Sequence, residues 1–121
     1  MLECCTDGGG NNLEKKDFYC SFKIGEELHS RIDIDVHSTN EAEYQALILC
    51  LEYLLLTKPK ESVIIYTDSR LVVQQVNGRW RVHAKNLIPF YLKVIGLLES
   101  FKVPVRIEWW KRFNSVRELG H

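Results

Sequence analysis

Apolar residues change their spacing twice along the first part of the chain. Over residues 17–36 they alternate with polar residues, which is typical of strands that bury one face. Residues 40–56 are nearly all strong helix formers, and residues 63–66 form a continuous apolar run, typical of a central strand covered on both faces. Because a strand, helix, strand crossover makes its two strands parallel, the chain is predicted to form an α/β fold with a mixed sheet.

Local signals divide the chain into elements. A strand at 2–6 is predicted to be joined by the Gly/Asn run at 8–12 to a hairpin of strands that turns at Gly25 and Glu26. Ser38, with Glu41 three residues later, predicts the start of the long helix. Trp109 is expected in the core, on the buried face of the last strand. The predicted elements are strands at 2–6, 17–24, 28–36, 63–66 and 103–109 and helices at 40–56, 70–76 and 86–101, in the order β-β-β-α-β-α-α-β with a five-stranded sheet.

Length and composition limit the class of protein. The 121 residues are 45% hydrophobic and 26% charged, enough to fold as a single domain over residues 1–121. Sixteen Lys plus Arg balance sixteen Asp plus Glu, which excludes a histone-like binder with a global basic field. The longest apolar run, at 46–57, is too short for a membrane span. The four cysteines lack C-x-x-C spacing and the start of the chain lacks a leader pattern, so we expect reduced thiols and a cytoplasmic location. We also expect a monomer.

Acidic residues follow two of the predicted strands. Asp7 comes after the first strand, Asp68 after the fourth, and Glu43 just beyond the first turn of the long helix. If the two strands are parallel neighbours, the three carboxylates converge, and converging carboxylates need a cation, for which all-oxygen ligands favour Mg²⁺ or Mn²⁺. Turn and helix-dipole roles explain each acid singly, so both readings stay open. Asp33 and Asp35 are assigned to a solvated strand face.

Three blocks of sequence resemble the signature blocks of type 1 ribonuclease H. They read TDGGG at 6–10, TNEAEYQAL at 39–47 and YTDSRLVVQQVNG at 66–78. The resemblance covers almost the whole chain. The chain is similar in particular to compact bacterial and archaeal members of the family, since it lacks the basic protrusion of other members. It implies a ribonuclease H-like fold and an endonuclease that cuts the RNA strand of RNA/DNA hybrids, leaving 5′-phosphate and 3′-hydroxyl ends. It also implies two Mg²⁺ ions per site, with Mn²⁺ as an alternative.

Position by position, the resemblance implies that Asp7, Glu43 and Asp68 are catalytic metal ligands. The family's fourth ligand belongs to a block that resembles N-x-x-A-D, and Asn114 with Glu118 keeps that spacing with Glu in place of Asp. We expect Glu118 to be the fourth catalytic metal ligand. A helix cap is the ordinary explanation of Glu118, and Asn114 or water is the alternative ligand.

The segment before this last block departs from the family pattern. Many members carry a histidine there, whereas only Lys111, Arg112 and Phe113 separate Trp110 from Asn114. Proton transfer or product release is therefore expected to involve Arg112 or Lys111. His121 is a weaker substitute.

The resemblance also implies a surface that contacts the hybrid. The glycines at 8–10 are expected to allow close approach of nucleic acid, although a hairpin connection explains them as well. A basic cluster with one tryptophan is expected to hold the DNA strand, with a solvated helix end as the alternative. The predicted substrate-binding residues are Gly8, Gly9, Gly10, Asn12, Asn40, Ser69, Gln75, Arg79, Trp80, Arg81, Lys85, Arg112 and Asn114.

Two other functions stay open. The first is a hybrid-binding module of the same fold with weak or no catalysis, which the departures at Glu118 and before Asn114 favour. The second is a nuclease of the same superfamily that acts on DNA, against which the glycine run and Asn40 argue.

Overall fold

The computed structural model describes residues 1–10 and 17–120. The element order predicted from the sequence is confirmed, and a further helix follows the last strand. Within the described residues the chain forms β1 (Leu2–Gly10), β2 (Phe18–Ile24), β3 (Glu27–Ile32), α1 (Thr39–Thr57), β4 (Val63–Thr67), α2 (Arg70–Val76), α3 (Ile88–Glu99), β5 (Val105–Trp109) and α4 (Arg112–Leu119).

The strands form one mixed sheet in the order β3-β2-β1-β4-β5. Strands β1, β2 and β3 pair antiparallel, whereas β4 lies parallel to both β1 and β5. The β2–β3 hairpin turns at Gly25, whose φ of 58° lies in the left-handed region that glycine adopts without strain. The predicted α/β class with a five-stranded mixed sheet is therefore confirmed.

Strand β1 extends beyond the predicted bounds. Gly8, Gly9 and Gly10 pair with residues of β2, so the prediction that the glycine run belongs to the hairpin connection was wrong. The parallel pairing of β1 with β4 ends earlier, at Thr6 opposite Thr67. Asp7 therefore lies inside a strand, at the point where that strand leaves its parallel neighbour.

Strand β3 is shorter than predicted. It ends at Ile32 because Asp33 has a φ of 53°, a left-handed conformation that interrupts a strand and that aspartate tolerates better than most residues. The backbone N–H of Ile34 instead donates to the carbonyl of Phe18. Asp33 and Asp35 are both exposed, as the solvated reading expected.

Proline positions set two further boundaries. Helix α3 begins at Ile88, two residues after the predicted start at 86, with Pro89 in its first turn, where the missing N–H has no helical partner to lose. Strand β5 begins directly after Pro104, which has no N–H to donate to the sheet and contributes only its carbonyl, to Val63.

The core lies between the sheet and α1. This helix is buried along most of its length, since Tyr44, Leu47, Leu51 and Leu54 are all inaccessible to solvent. Ser38 caps its start by accepting a hydrogen bond from the N–H of Glu41, as predicted. The partners of α1 in the core include Val63 and Ile65 of β4, Val94 of α3 and Ile107 of β5.

Helix α4 packs on the other face of the sheet, against β1 and β2. Lys23 and Tyr66 are the register partners of Cys5 on either side and share its face. Trp110 stacks on Tyr66 and donates from its indole N–H to Ser115 in α4. All four cysteines are buried free thiols.

None of the helices in the described ranges has the length and apolar character needed to cross a bilayer.

Candidate functional site

Three carboxylates meet at one edge of the sheet. Asp7 comes from β1, Glu43 from α1 and Asp68 from the residue after β4, and one oxygen of each lies within 4.8 Å of the others. Asp7 is fully buried, Glu43 is buried, and the Asp68 side chain is 8% exposed. The predicted convergence of these acids, which we call the acidic triad, is confirmed.

Gly8 allows α1 to lie close enough for the triad to form. A Cβ at this position would overlap the carbonyl of Ala42 and come within 2.6 Å of the backbone nitrogen of Glu43. The N–H of Gly8 also donates to the Glu43 carboxylate, which lowers the pKa of that group against the stronger effects of its surroundings. The glycine therefore serves a packing contact inside the protein.

The other two glycines of the run are also explained by internal packing. A Cβ on Gly9 would lie 2.9 Å from the hydroxyl of Tyr19, and one on Gly10 would overlap the ring of Phe18. Tyr19 uses the space above Gly9 to donate a hydrogen bond of 3.3 Å to the carboxylate of Asp7. Close approach of nucleic acid to these glycines stays a prediction.

Burial and the repulsion between neighbouring carboxylates raise the pKa of two residues of the triad, Asp7 and Glu43. Burial raises the pKa of Asp7 from 3.8 to about 6, and the charge of Asp68 contributes. Burial also raises the pKa of Glu43 from 4.5 to about 9, with contributions from both aspartates. With a pKa of about 9, Glu43 stays protonated at neutral pH unless further positive charge is placed beside it.

Arg112 supplies positive charge to two of the three acids. Its Nη1 donates to Asp68 Oδ2 at 3.0 Å and to Asp7 Oδ1 at 3.2 Å, with Asp7 Oδ2 at 3.5 Å. It is the first residue of α4, and its side chain is 57% exposed. The sequence predicted Arg112 as a substrate or proton-transfer residue but missed this ion pair. The signal was the short segment between β5 and the last block, which returns the chain to the same sheet edge.

Glu118, the expected fourth ligand, is not brought into the triad. Its carboxylate binds Lys23 Nζ and Arg117 Nε, both at 3.1 Å, and these hydrogen bonds, that of Lys23 first, lower its pKa. It lies six residues beyond Arg112 in α4, a rise of about 9 Å along a helix axis. Its role as a metal ligand stays a prediction that needs a change in α4. Asn114 lies in the first turn of this helix, where its N–H donates to the carbonyl of Lys111.

Trp109 supports the backbone at Asp68. Its indole N–H donates to the Asp68 carbonyl at 3.1 Å, and the Arg70 guanidinium lies 4.3 Å above its ring. Trp109 is 39% exposed, so its predicted place in the core was wrong. Ser69, predicted to support substrate contacts, caps α2 by accepting from the N–H of Val72.

Several predicted substrate-binding residues line one open cavity of about 600 Å³. Gln75 is buried there and accepts a hydrogen bond of 2.6 Å from the hydroxyl of Tyr44. Lys85 is exposed and is not among the lining residues. Asn12 and His121 lie outside the described residues. The predicted residues that share the cavity are Asn40, Gln75, Arg79, Trp80 and Arg81.

The fold and the acidic triad define a protein of the ribonuclease H class. A model of the family described as Reverse transcriptase-like matches residues 29–116, and the chain belongs to this family. The resemblance to type 1 ribonuclease H inferred from the signature blocks is thereby confirmed.

Individual relatives agree with this class. The Bifunctional protein Rv2228c of Mycobacterium tuberculosis is 33% identical over 78 residues, 64% of this chain. The chain spans about a fifth of that relative's length, 21%. Ribonuclease H1 of Halobacterium salinarum superposes with a TM-score of 0.84 at 22% identity, covering 97% of this chain and 90% of the other. LC11-RNase H1 from compost, solved in complex with an RNA/DNA hybrid, gives 0.86 at 22% identity, covering 98% and 91%. These structural likenesses establish the fold.

Proposed function

We propose that the protein is a metal-dependent endoribonuclease that hydrolyses the RNA strand of RNA/DNA hybrids. The observation that carries the proposal is the convergence of Asp7, Glu43 and Asp68, with an oxygen of each within 4.8 Å of the others. A buried cluster of this kind raises the free energy of the fold unless it binds cations. The similarity to ribonuclease H1 structures, one of them in complex with a hybrid, supports the choice of substrate.

The residues of the triad fit a hard divalent cation. All donors are carboxylate oxygens, which suit Mg²⁺ or Mn²⁺, and the raised pKa values of Asp7 and Glu43 indicate that positive charge is needed there. We propose two ions per site, held by the triad, with Glu118 as a further ligand if α4 shifts. Divalent ions held by these residues would supply an activated water and charge stabilisation for the leaving 3′-oxygen.

The chain itself positions these carboxylates. Tyr19 orients Asp7 through a hydrogen bond to Oδ2. The indole of Trp109 holds the carbonyl of Asp68, and Gly8 holds Glu43 through its N–H. Groups fixed in this way need little rearrangement when the reacting phosphate arrives, which is how a preorganised site lowers a barrier.

The substrate is proposed to lie across the triad and the cavity beside it. Because the chain has no net charge, binding to a polyanion depends on a local patch. Arg79 and Arg81, with the exposed ring of Trp80 between them in sequence, suit phosphate and sugar contacts on the DNA strand. We propose that Asn40 and Gln75, which line the same cavity, read a wide minor groove with its 2′-hydroxyls.

A hybrid-binding module with weak catalysis is the second candidate. It is favoured by the ion pairs of Arg112 with Asp7 and Asp68, and by the pairing of Glu118 with Lys23 away from the triad. In this reading the cavity binds the hybrid while the triad binds metal poorly.

One assay separates the two candidates. Labelled RNA/DNA hybrid, duplex RNA and duplex DNA are each incubated with the protein in Mg²⁺, Mn²⁺ or EDTA. The nuclease cuts the hybrid selectively and loses this activity in EDTA, leaving 5′-phosphate ends. Binding of the hybrid without cutting in any metal supports the module, and cutting of duplex DNA contradicts both.

We further propose that residues 1–121 act as one domain, monomeric and cytoplasmic. The four buried thiols support the location, because free cysteines are typical of reducing compartments. Size-exclusion chromatography with light scattering tests the monomer.

A further inference from the structure

Arg112 uses the same oxygens that a metal ion needs. Its Nη1 lies within 3.5 Å of both oxygens of Asp7 and 3.0 Å from Oδ2 of Asp68. The hydroxyl of Tyr19 shares the Asp7 carboxylate with it. A guanidinium and a divalent cation on these atoms also repel each other, so occupation by one excludes the other.

The position of Arg112 allows it to leave. Its side chain is 57% exposed, whereas the aspartates that it binds are 0% and 8% exposed. It starts a helix of eight residues whose N-cap, Lys111, makes no side-chain capping hydrogen bond. The two aspartates are therefore held in place by burial, whereas the side chain of Arg112 can move into solvent.

We propose that Arg112 is an exchangeable internal counter-ion: it neutralises Asp7 and Asp68 when metal is absent and gives up this place when a divalent cation binds. This inference depends on the proposed function for the identity of the competing cation. Two opposite effects follow. Arg112 stabilises the metal-free protein, and the same contact weakens divalent metal binding.

Arg117 provides a matched control. It lies in the same helix, its side chain is also 57% exposed, and it binds a carboxylate, that of Glu118, at 3.1 Å. It differs in that its partner is outside the acidic triad. A general effect of removing positive charge from α4 appears in both Arg112→Gln and Arg117→Gln, whereas the counter-ion effect appears in Arg112→Gln alone.

The test measures Mn²⁺ and Mg²⁺ binding to the metal-free full chain by isothermal titration calorimetry, with melting temperatures in EDTA. We expect Arg112→Gln to bind Mn²⁺ about fivefold more tightly than wild type, the effect of losing a charge-assisted contact that is half exposed. Its metal-free form is expected to melt at a lower temperature. Arg112→Lys keeps the charge but lacks the planar set of guanidinium donors, so its Mn²⁺ affinity is expected to lie between those of wild type and Arg112→Gln. Arg117→Gln is expected to change the Mn²⁺ affinity less than Arg112→Gln, because its partner Glu118 lies outside the triad in the metal-free protein.

A second measurement needs no variant. In ¹⁵N-labelled wild type, Mg²⁺ is expected to shift the guanidinium resonances of Arg112 more than those of Arg117. The counter-ion proposal is overturned if wild type and Arg112→Gln bind Mn²⁺ with equal affinity. It is also overturned if the Arg112 guanidinium resonances do not shift at saturating Mg²⁺. Both results leave the proposed function intact. Absence of Mn²⁺ and Mg²⁺ binding in both wild type and Arg112→Gln overturns both proposals.

Discussion

Replacing Asp7 with asparagine tests the electrostatics of the acidic triad. The side chain is fully buried, and its pKa lies at about 6 against an ordinary value of 3.8, because burial and the charge of Asp68 disfavour the ionised form. A tenfold change in proton affinity corresponds to about 1.4 kcal/mol, so keeping Asp7 ionised above pH 6 lowers the free energy of unfolding by about 3 kcal/mol. Asparagine has nearly the same shape and carries no charge.

We therefore expect Asp7→Asn to be more stable than wild type by about 2 to 3 kcal/mol at pH 8 in the absence of metal. The difference shrinks as the pH falls and vanishes below pH ~4, where Asp7 is protonated in both the folded and the unfolded wild type. Urea unfolding in EDTA, followed by tryptophan fluorescence, measures it. Asp35→Asn is the control, because Asp35 is exposed and lies outside the acidic triad.

The rate at which the same variant cleaves the hybrid in Mg²⁺ is expected to fall by at least about a hundredfold. The reason is that the variant has lost a metal ligand although its fold is more stable. An Asp7→Asn protein that is less stable than wild type at pH 8 refutes the electrostatic argument. One that cuts hybrids at the wild-type rate refutes the role of Asp7 in binding metal.

Three further predictions concern the surroundings of the triad. Trp109→Phe removes the hydrogen bond to the Asp68 carbonyl but keeps a ring, so single-turnover cleavage is expected to slow about fivefold with little change in melting temperature; an unchanged rate contradicts the positioning role. Gly8→Ala forces a Cβ into the Ala42 carbonyl and is expected to cost about 2 to 3 kcal/mol in urea unfolding, whereas Gly96→Ala, in a helix with open space around it, is expected to stabilise by up to about 1 kcal/mol. Equal effects of the two glycine variants count against the packing role of Gly8. The melting temperature of the metal-free wild type is expected to fall as the pH rises from 5 to 9, because groups with raised pKa bind more protons when folded and this stability is lost as they ionise. Saturating Mg²⁺ is expected to flatten this slope, and a slope of the opposite sign contradicts the raised pKa values.

Much of the fold can be predicted from the sequence, because the strands and helices are set by the spacing of apolar residues along the chain. The alternation over residues 17–24 and the apolar run at 63–66 identify β2 and β4, and the crossover between parallel strands leaves few ways to arrange the sheet. The convergence of Asp7 and Asp68 then follows from strand order. These features are local in sequence or fixed by topology.

The errors arise where a tertiary contact decides. The glycine run was assigned to a connection because glycine is typical of turns, whereas Gly8 is set by the approach of Ala42 from another element. Trp109 shares the alternation of a core residue, yet at the end of β5 its indole bonds to the Asp68 carbonyl. Motif spacing predicts Glu118 as a ligand, and this stays a prediction, but it gave no sign that Arg112, at the start of α4, would contact two acids of the triad. Such choices depend on how separate elements meet, and spacing along one chain does not encode this.

The placement of Asp7 inside β1 has a mechanical consequence. Backbone pairing with β2 continues on both sides of it, so the Cα of Asp7 moves only if the sheet itself deforms. Any adjustment to metals of different radius must then come from the residues that face it. Crystallographers who compare Mg²⁺ and Mn²⁺ forms should expect the strands to superpose and the differences to collect at the amino end of α4.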